Sequence, residues 1–272
     1  MRTISCSNRG LPPGLSWLVA RARATIRAVS EHTTAGFVVI GNEILSGKVV
    51  DANTPFLAKE LRSLGVALER VSVIPDEVET ISQTVRRYAE SFDVVFTSGG
   101  VGPTHDDITM DGIARAFEVS VVEHPALRSA IEEYVREPNE SHLKMARVPD
   151  GAELLVGPHK AFPTIVMGNV YILPGIPEIF RAKVEALRDH LRTRPYYLRQ
   201  VLVSKNETAI AAYLNATLAA FPELLLGSYP KLSNPDYQVR LTLESKDEGY
   251  VDLALADLIS RMPPGYVVKV ES

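Results

Sequence analysis

From residue 36 the chain repeats one pattern: a short β-branched apolar run, a brief turn, then a stretch with helical spacing. The runs are "GFVVIG" (36–41), "LERVSVIP" (68–75) and "DVVFTS" (93–98), and the helical stretches are "DANTPFLAKELRSLG" (51–65), "EVETISQTVRRYAES" (77–91) and "MDGIARAF" (110–117). Strands that alternate with helices over short links pair in parallel, because each crossover returns the chain to the same sheet end. In the first helix Leu57, Leu61 and Leu64 recur on one face, Asn53 or Thr54 serves as cap, and Gly65 supplies the stop. Further on, 124–137 reads as a helix and 169–175 as a buried strand. A helix over 176–193 then has Ile179, Val184 and Leu187 on its apolar face. The expected fold is α/β: a doubly wound, mostly parallel sheet whose ligands bind at the C-terminal strand ends.

The pattern changes near residue 195. Strand (194–204), helix (206–220), strand (223–229), strand (237–245), helix (249–261) and strand (265–271) follow in turn. "YQVRLTLE" alternates Val239, Leu241 and Leu243 with Arg240, Thr242 and Glu244, as a half-exposed antiparallel strand does. The expected organisation is an extension over 1–34, an α/β domain over 35–194 and a smaller α+β domain over 195–272. The first thirty residues hold five arginines and no acid. This reads as a mitochondrial presequence, or as a disordered or misassigned start. The expected location is cytoplasmic, or the mitochondrial matrix if the segment is a presequence. A formal net charge of -4 gives no basic footprint for nucleic acid. One cysteine, Cys6, allows no intrachain disulfide, and no apolar run approaches the roughly 20 residues a membrane span needs.

The most unusual stretch is "TSGGVGPTHDDIT" (97–109), a strand-to-helix turn. Gly99, Gly100 and Gly102 let main-chain N–H groups close on an anion such as phosphate. Asp106 and Asp107 add negative charge beside it, a conflict that a divalent ion (Mg, Mn or Co) would resolve by bridging carboxylate and phosphate oxygens. Thr104 and Thr109 either bond phosphate or cap the next helix. Glu43, Asp51 and Asn53 after the first strand, and Asp76 and Glu77 after the second, are expected at the same sheet edge. Up to six carboxylates would then face one cleft, with Glu43, Asp106 and Asp107 as metal ligands. His105 is a lone loop histidine, while His142 and Lys144 are polar groups within reach of a substrate. No serine–histidine–acid or zinc-ligand spacing stands out.

"TSGGVGPTHDDIT" resembles the signature of the molybdopterin-binding domain family, which includes MogA, MoaB and the N-terminal part of CinA. "IGNEILSGKVVDANTPFLAKELRSLG", "VSVIPDEVETI" and "LPGIPEIF" continue the CinA-type pattern in order. "NVYILPGIPE" and "FPELLLGSYPKLSNPDYQVRLTLES" are similar to the molybdopterin-binding-like half of eukaryotic FAD synthase. The resemblance implies a nucleotide or pterin ligand and a homo-oligomer. Gly99, Gly100 and Gly102 would cradle phosphate, and Asp107 and Asp76 would be the functional acids. It also implies metal-dependent pyrophosphate cleavage of FAD or ADP-ribose. The alternatives are pterin adenylylation for molybdenum cofactor, or a non-catalytic pterin- or flavin-binding module. Two departures stand out: Asn42 replaces an aspartate, and "VGPHKAFPTIVMGN" lacks a CinA-type Asn-Pro-x-Gly segment. The deamidase that follows in CinA and the adenylyltransferase that follows in FAD synthase are both absent from these 272 residues, so FAD synthesis itself is not expected.

Overall fold

The structure, a computed structural model, describes residues 33–156 and 162–271. The expectation for residues 1–32 falls outside that range. The chain divides into two compact units, up to Thr193 and from Arg194.

The first unit is built on a six-stranded sheet. In chain order its strands are β1 (Thr34–Ile40), β2 (Ala67–Ile74), β3 (Val94–Ser98), β6 (Glu153–Leu155), β7 (Thr164–Met167) and β8 (Val170–Leu173); β4 (Val121–Glu123) and β5 (Arg147–Pro149) form a separate two-stranded ladder. The spatial order is β2-β1-β3-β8-β7-β6. The first three of these pairings are parallel and the last two antiparallel. The sheet is therefore mixed but mostly parallel, as the alternating pattern requires.

Its central strands β1, β3 and β8 are apolar almost without interruption because both faces are covered, whereas the edge strand β2 is largely exposed. Side chains alternate across the pleat, so β1 sends Val38 and Ile40 into one core layer and Phe37 and Val39 into the other. The first layer is filled by Ile81, Val85 and Tyr88 of α3 (Val78–Ser91) and Ile113 of α4 (Thr109–Ala116). The second is filled by Leu57 and Leu61 of α2 (Asn53–Ser63) and Phe180 and Val184 of α7 (Pro177–Ala186). Leu57, Leu61 and Leu64 are fully buried, and Gly65 follows at φ 80°.

Several local expectations are corrected. The boundary after residue 34 falls inside β1, because Thr34 already pairs with Ala67 and its N–H and hydroxyl both donate to Asp93 Oδ2 at 2.9 Å. The helix over 176–193 breaks at Leu187 into α7 and a short α8 (Arg188–Leu191). Its apolar face is Phe180, Val184 and Leu187, while Ile179 is exposed. Three short elements carry too little periodicity to read from sequence: α1 (Asn42–Leu45), α6 (Glu140–Lys144) and the β4–β5 ladder. The helix expected over 124–137 is α5 (Pro125–Tyr134).

The second unit runs β9 (Tyr197–Val203), α9 (Glu207–Ala220), β10 (Leu225–Pro230), β11 (Val239–Ser245), α10 (Glu248–Arg261) and β12 (Val267–Glu271). The sheet order β10-β11-β9-β12 is antiparallel throughout. This is the split β-α-β topology. Val201, Val203, Val239, Leu241 and Leu243 pack against Ile210 and Leu214 of α9 and Val251, Ala254 and Leu258 of α10.

Lys183 on α7 is an unusual packing element. Its Nζ donates to the carbonyls of Phe162 and Pro163 at 2.8 and 3.0 Å, and burial lowers its pKa to about 8. A lysine depressed in the folded state carries a stability penalty that is complete below pH 8 and fades as pH rises toward its unfolded value near 10.5. Stability relative to Lys183→Met should therefore rise by on the order of 3 kcal/mol between pH 7 and 10.5. Urea denaturation of both proteins at pH 7, 8.5 and 10 checks this; a pH-independent difference would contradict it.

Candidate functional site

The turn after β3 is shaped by backbone sterics. Gly99 and Gly100 adopt φ 105° and 63°, which side-chain-bearing residues rarely reach. A Cβ at position 99 would lie 2.1 Å from the Ile40 carbonyl oxygen, and one at position 100 would lie 2.3 Å from Thr109 Oγ1. Thr109 is fully buried; its hydroxyl donates to Gly99 O at 2.9 Å and its N–H to Gly100 O at 3.0 Å. Thr109 thus braces the turn rather than facing a ligand. Among the described residues the N–H groups of Gly100, Val101 and Gly102 have no hydrogen-bond acceptor. Consecutive unpaired N–H groups in a turn form a concavity that attracts anions.

Asn53 secures the turn from the other side. It is buried, and its Nδ2 donates to Ser98 Oγ and to Gly175 O, both at 2.9 Å. Those two contacts tie the end of β3 to the loop after β8. This fixes the amide's orientation and leaves Oδ1 buried without a partner.

The acids do not gather as expected. Asp51 caps α2, accepting from the N–H groups of Asn53 and Thr54 at 2.9 and 3.0 Å. Asp76 accepts from the Asn42 N–H at 2.8 Å and so holds the start of α1. Glu77 accepts from Thr80 Oγ1, and the exposed Glu43 carboxylate folds back over Gly41. Asp106 and Asp107 do converge: their Oδ1 and Oδ2 lie 2.5 and 2.6 Å from the one hydroxyl of Thr104. Thr104 N–H also donates to Asp107 at 2.8 Å. The Thr104 hydroxyl, helped by the backbone N–H of Asp106, His105 and Lys144, lowers the Asp106 pKa. His105 itself is almost wholly exposed, 3.9 Å from Asp106.

A shallow cleft opens beside the turn, lined by Gly100, Val101, Gly102, Asp107, Met110 and Asp111 on one side. Val121, Lys144, Met145 and Arg147 line the other. Lys144, at the end of α6, donates to the Thr104 carbonyl. Arg147 is exposed between the buried Ala146 and Val148, so the alternation of β5 turns it outward. Among the described residues its guanidinium has no ion-pair or hydrogen-bond partner. Arg147 and Asp111 were missed in the sequence. For Arg147 the available signal was the apolar–polar alternation of "ARV". His142, by contrast, caps its own helix with Asn139.

Among the described residues no group of three or more His, Cys, Asp or Glu side chains lies close enough to hold a metal ion alone. The pair Asp106–Asp107 nevertheless suits Mg²⁺, which takes one or two carboxylates and completes its shell with water and phosphate. One hydroxyl proton cannot satisfy two carboxylates at 2.5 and 2.6 Å, so an added cation would relieve their repulsion.

A glycine-rich turn at the C-terminal edge of a mostly parallel sheet covered on both faces defines the first unit as a doubly wound α/β domain. Residues 36–193 match the family described as "Probable molybdopterin binding domain", and residues 195–271 match "FAD synthase, middle domain". The chain belongs to the molybdopterin-binding domain family, joined to a FAD synthase middle domain. It is 32% identical to a "Probable FAD synthase" of Caenorhabditis elegans over 93% of this chain, and 33% identical to a protein of Archaeoglobus fulgidus over 80% of this chain and 93% of that one. The chain spans 54% of the Caenorhabditis elegans protein and of a similar one from Caenorhabditis briggsae. The crystal structure of CinA from Thermoplasma acidophilum aligns with a TM-score of 0.55 at 30% identity, covering 60% of this chain and 99% of that one. No helix among the described residues is long and apolar enough to cross a membrane.

The brace predicts a stability effect. Thr109→Val should cost about 1–3 kcal/mol, the penalty for a buried carbonyl losing its donor. Thr109→Ser should retain most of that stability. Chemical denaturation of the parent and both variants measures it. If Thr109→Val is as stable as the parent, the hydroxyl does not support the turn.

Proposed function

We propose that the chain hydrolyses the pyrophosphate of a dinucleotide such as FAD or ADP-ribose, releasing two monophosphates. The observation that carries this reading is the meeting, in one cleft, of three unpaired N–H groups with Lys144, Arg147 and Asp107. Such a set suits a group with several anionic oxygens. The glycine N–H groups hold one phosphoryl group, and Arg147 and Lys144 stabilise charge on the other as the bridging P–O bond breaks. Water supplies the oxygen that bonds to phosphorus, and the bridging oxygen leaves on the second monophosphate. Asp107 stands beside Gly102, where it can orient that water; Asp106 shares its support through Thr104. A divalent ion held by Asp106 and Asp107 would polarise the phosphoryl oxygens. Asp76 and Glu43, expected as catalytic acid and metal ligand, take no part in this reading, because Asp76 accepts from the Asn42 N–H and the Glu43 carboxylate lies over Gly41. The matched relatives named FAD synthase support a flavin nucleotide as substrate.

The match of residues 36–193 supports a second reading, in which the same cleft takes a pterin phosphate for adenylylation. Product analysis separates the two: FMN plus AMP from FAD, or an adenylylated pterin. Incubation with FAD, ADP-ribose and NAD, each with Mg²⁺, Mn²⁺ or Co²⁺, is the direct test. Failure of every such combination to yield monophosphates would overturn the hydrolase reading.

Asp107→Asn should lower kcat at least a hundred-fold with the melting temperature within a few degrees. Arg147→Gln should lower kcat/KM by about ten- to a thousand-fold, as loss of one charge-stabilising donor does. Steady-state kinetics and thermal melts read both. Undiminished turnover in either variant would take that residue out of the site.

A further inference from the structure

The second unit carries its helices α9 and α10 on one face of its sheet, where Val201, Val203, Leu241 and Leu243 form the core. The side chains between them belong to the opposite face. Register places four of these in one row across all four strands: Tyr229 faces Arg240, Arg240 faces Leu202, and Leu202 faces Lys269. An aromatic ring, a guanidinium, an aliphatic side chain and an ammonium thus lie side by side.

The local geometry of Tyr229 depends on a glycine. A Cβ at position 227 would lie 2.8 Å from both Cε2 and the hydroxyl of Tyr229, so the ring leans along its own strand over Gly227. The Arg240 guanidinium lies 5.4 Å from the ring centroid and fixes its tilt. Tyr229 still keeps 46% of its surface exposed.

The guanidinium charge on this row is not balanced by the protein. Among the described residues Arg240 makes no ion pair and no side-chain hydrogen bond, and its Nε is buried without an acceptor. Lys269 reaches only Glu271, in an exposed pair. Arg240 and Lys269 are two strands apart, about 10 Å, with Tyr229 one strand, about 5 Å, beyond Arg240. These are backbone spacings, across which the long Arg240 and Lys269 side chains can converge on one phosphate beside a ring on Tyr229. A long polyanion is disfavoured by the formal net charge of -4.

We infer that the open face of the second unit's sheet binds a mononucleotide, with the ring stacked on Tyr229 and the phosphate held by Arg240 and Lys269. Aromatic stacking tolerates any flat heterocycle, so adenine and flavin rings both fit. The site's residues all belong to the second unit, and the inference does not depend on the reaction assigned to the glycine-turn cleft.

The test is AMP binding to the full chain, followed by calorimetry and by ligand NMR. Tyr229→Leu and Arg240→Gln should each weaken one binding event at least ten-fold, while Tyr229→Phe stays within about three-fold. Adenosine should bind that site at least ten-fold more weakly than AMP. Arg147→Gln, in the cleft, should leave the event unchanged, which separates this site from the proposed hydrolase. Melting curves within a few degrees of the parent show that the variants are folded. If no AMP-binding event responds to Tyr229→Leu and Arg240→Gln, the inference is overturned and Tyr229 merely covers Gly227.

Discussion

The candidate site depends on one hydrogen bond that spans ten residues, from the Thr109 hydroxyl to the Gly99 carbonyl. It holds the turn in a conformation that only glycine reaches readily, with the Gly99 Cα against the Ile40 carbonyl. Once the carbonyls of Gly99 and Gly100 are engaged inward by Thr109, the N–H groups that follow are left without internal partners. The free N–H groups are thus a by-product of how the turn is locked. Asn53 performs the matching task at the next strand, joining Ser98 to Gly175. A single buried amide therefore keeps the ends of β3 and β8 in register with α2.

The parallel strands supply the platform for this arrangement. Their continuous apolar runs bury both faces, and the polar groups of the chain are left to collect at the strand ends. Most carboxylates found there are consumed by local structure. Asp51 and Asp76 each satisfy helix N–H groups. The acids left beside the turn are Asp106 and Asp107, sharing one hydroxyl, with Asp111 at the edge of the cleft.

The α/β frame was legible because strand and helix periods alternate cleanly from 36 to 117, and the second unit because "YQVRLTLE" alternates so strictly. The glycine turn was legible because Gly99 and Gly100 have few other uses together. What could not be read was direction. Thr104 and Thr109 look alike in sequence, yet one hydroxyl meets two carboxylates at the surface and the other is sealed beneath the turn. The expectation of six acids in one cleft failed because sequence places a residue at a strand end without saying whether a nearby helix N–H will claim it. Arg147 escaped notice because β5 is three residues long, too short to register as a strand.

The two walls of the cleft have separate scaffolds. The glycine turn and Asp107 hang from the main sheet, whereas Arg147 and Lys144 are mounted on the β4–β5 ladder and the short helix before it. Mutations in the ladder can therefore alter the cationic wall while the glycine turn stays intact. In this fold the shape of the turn and the charge of the wall facing it rest on separate elements, and each can vary without rebuilding the other.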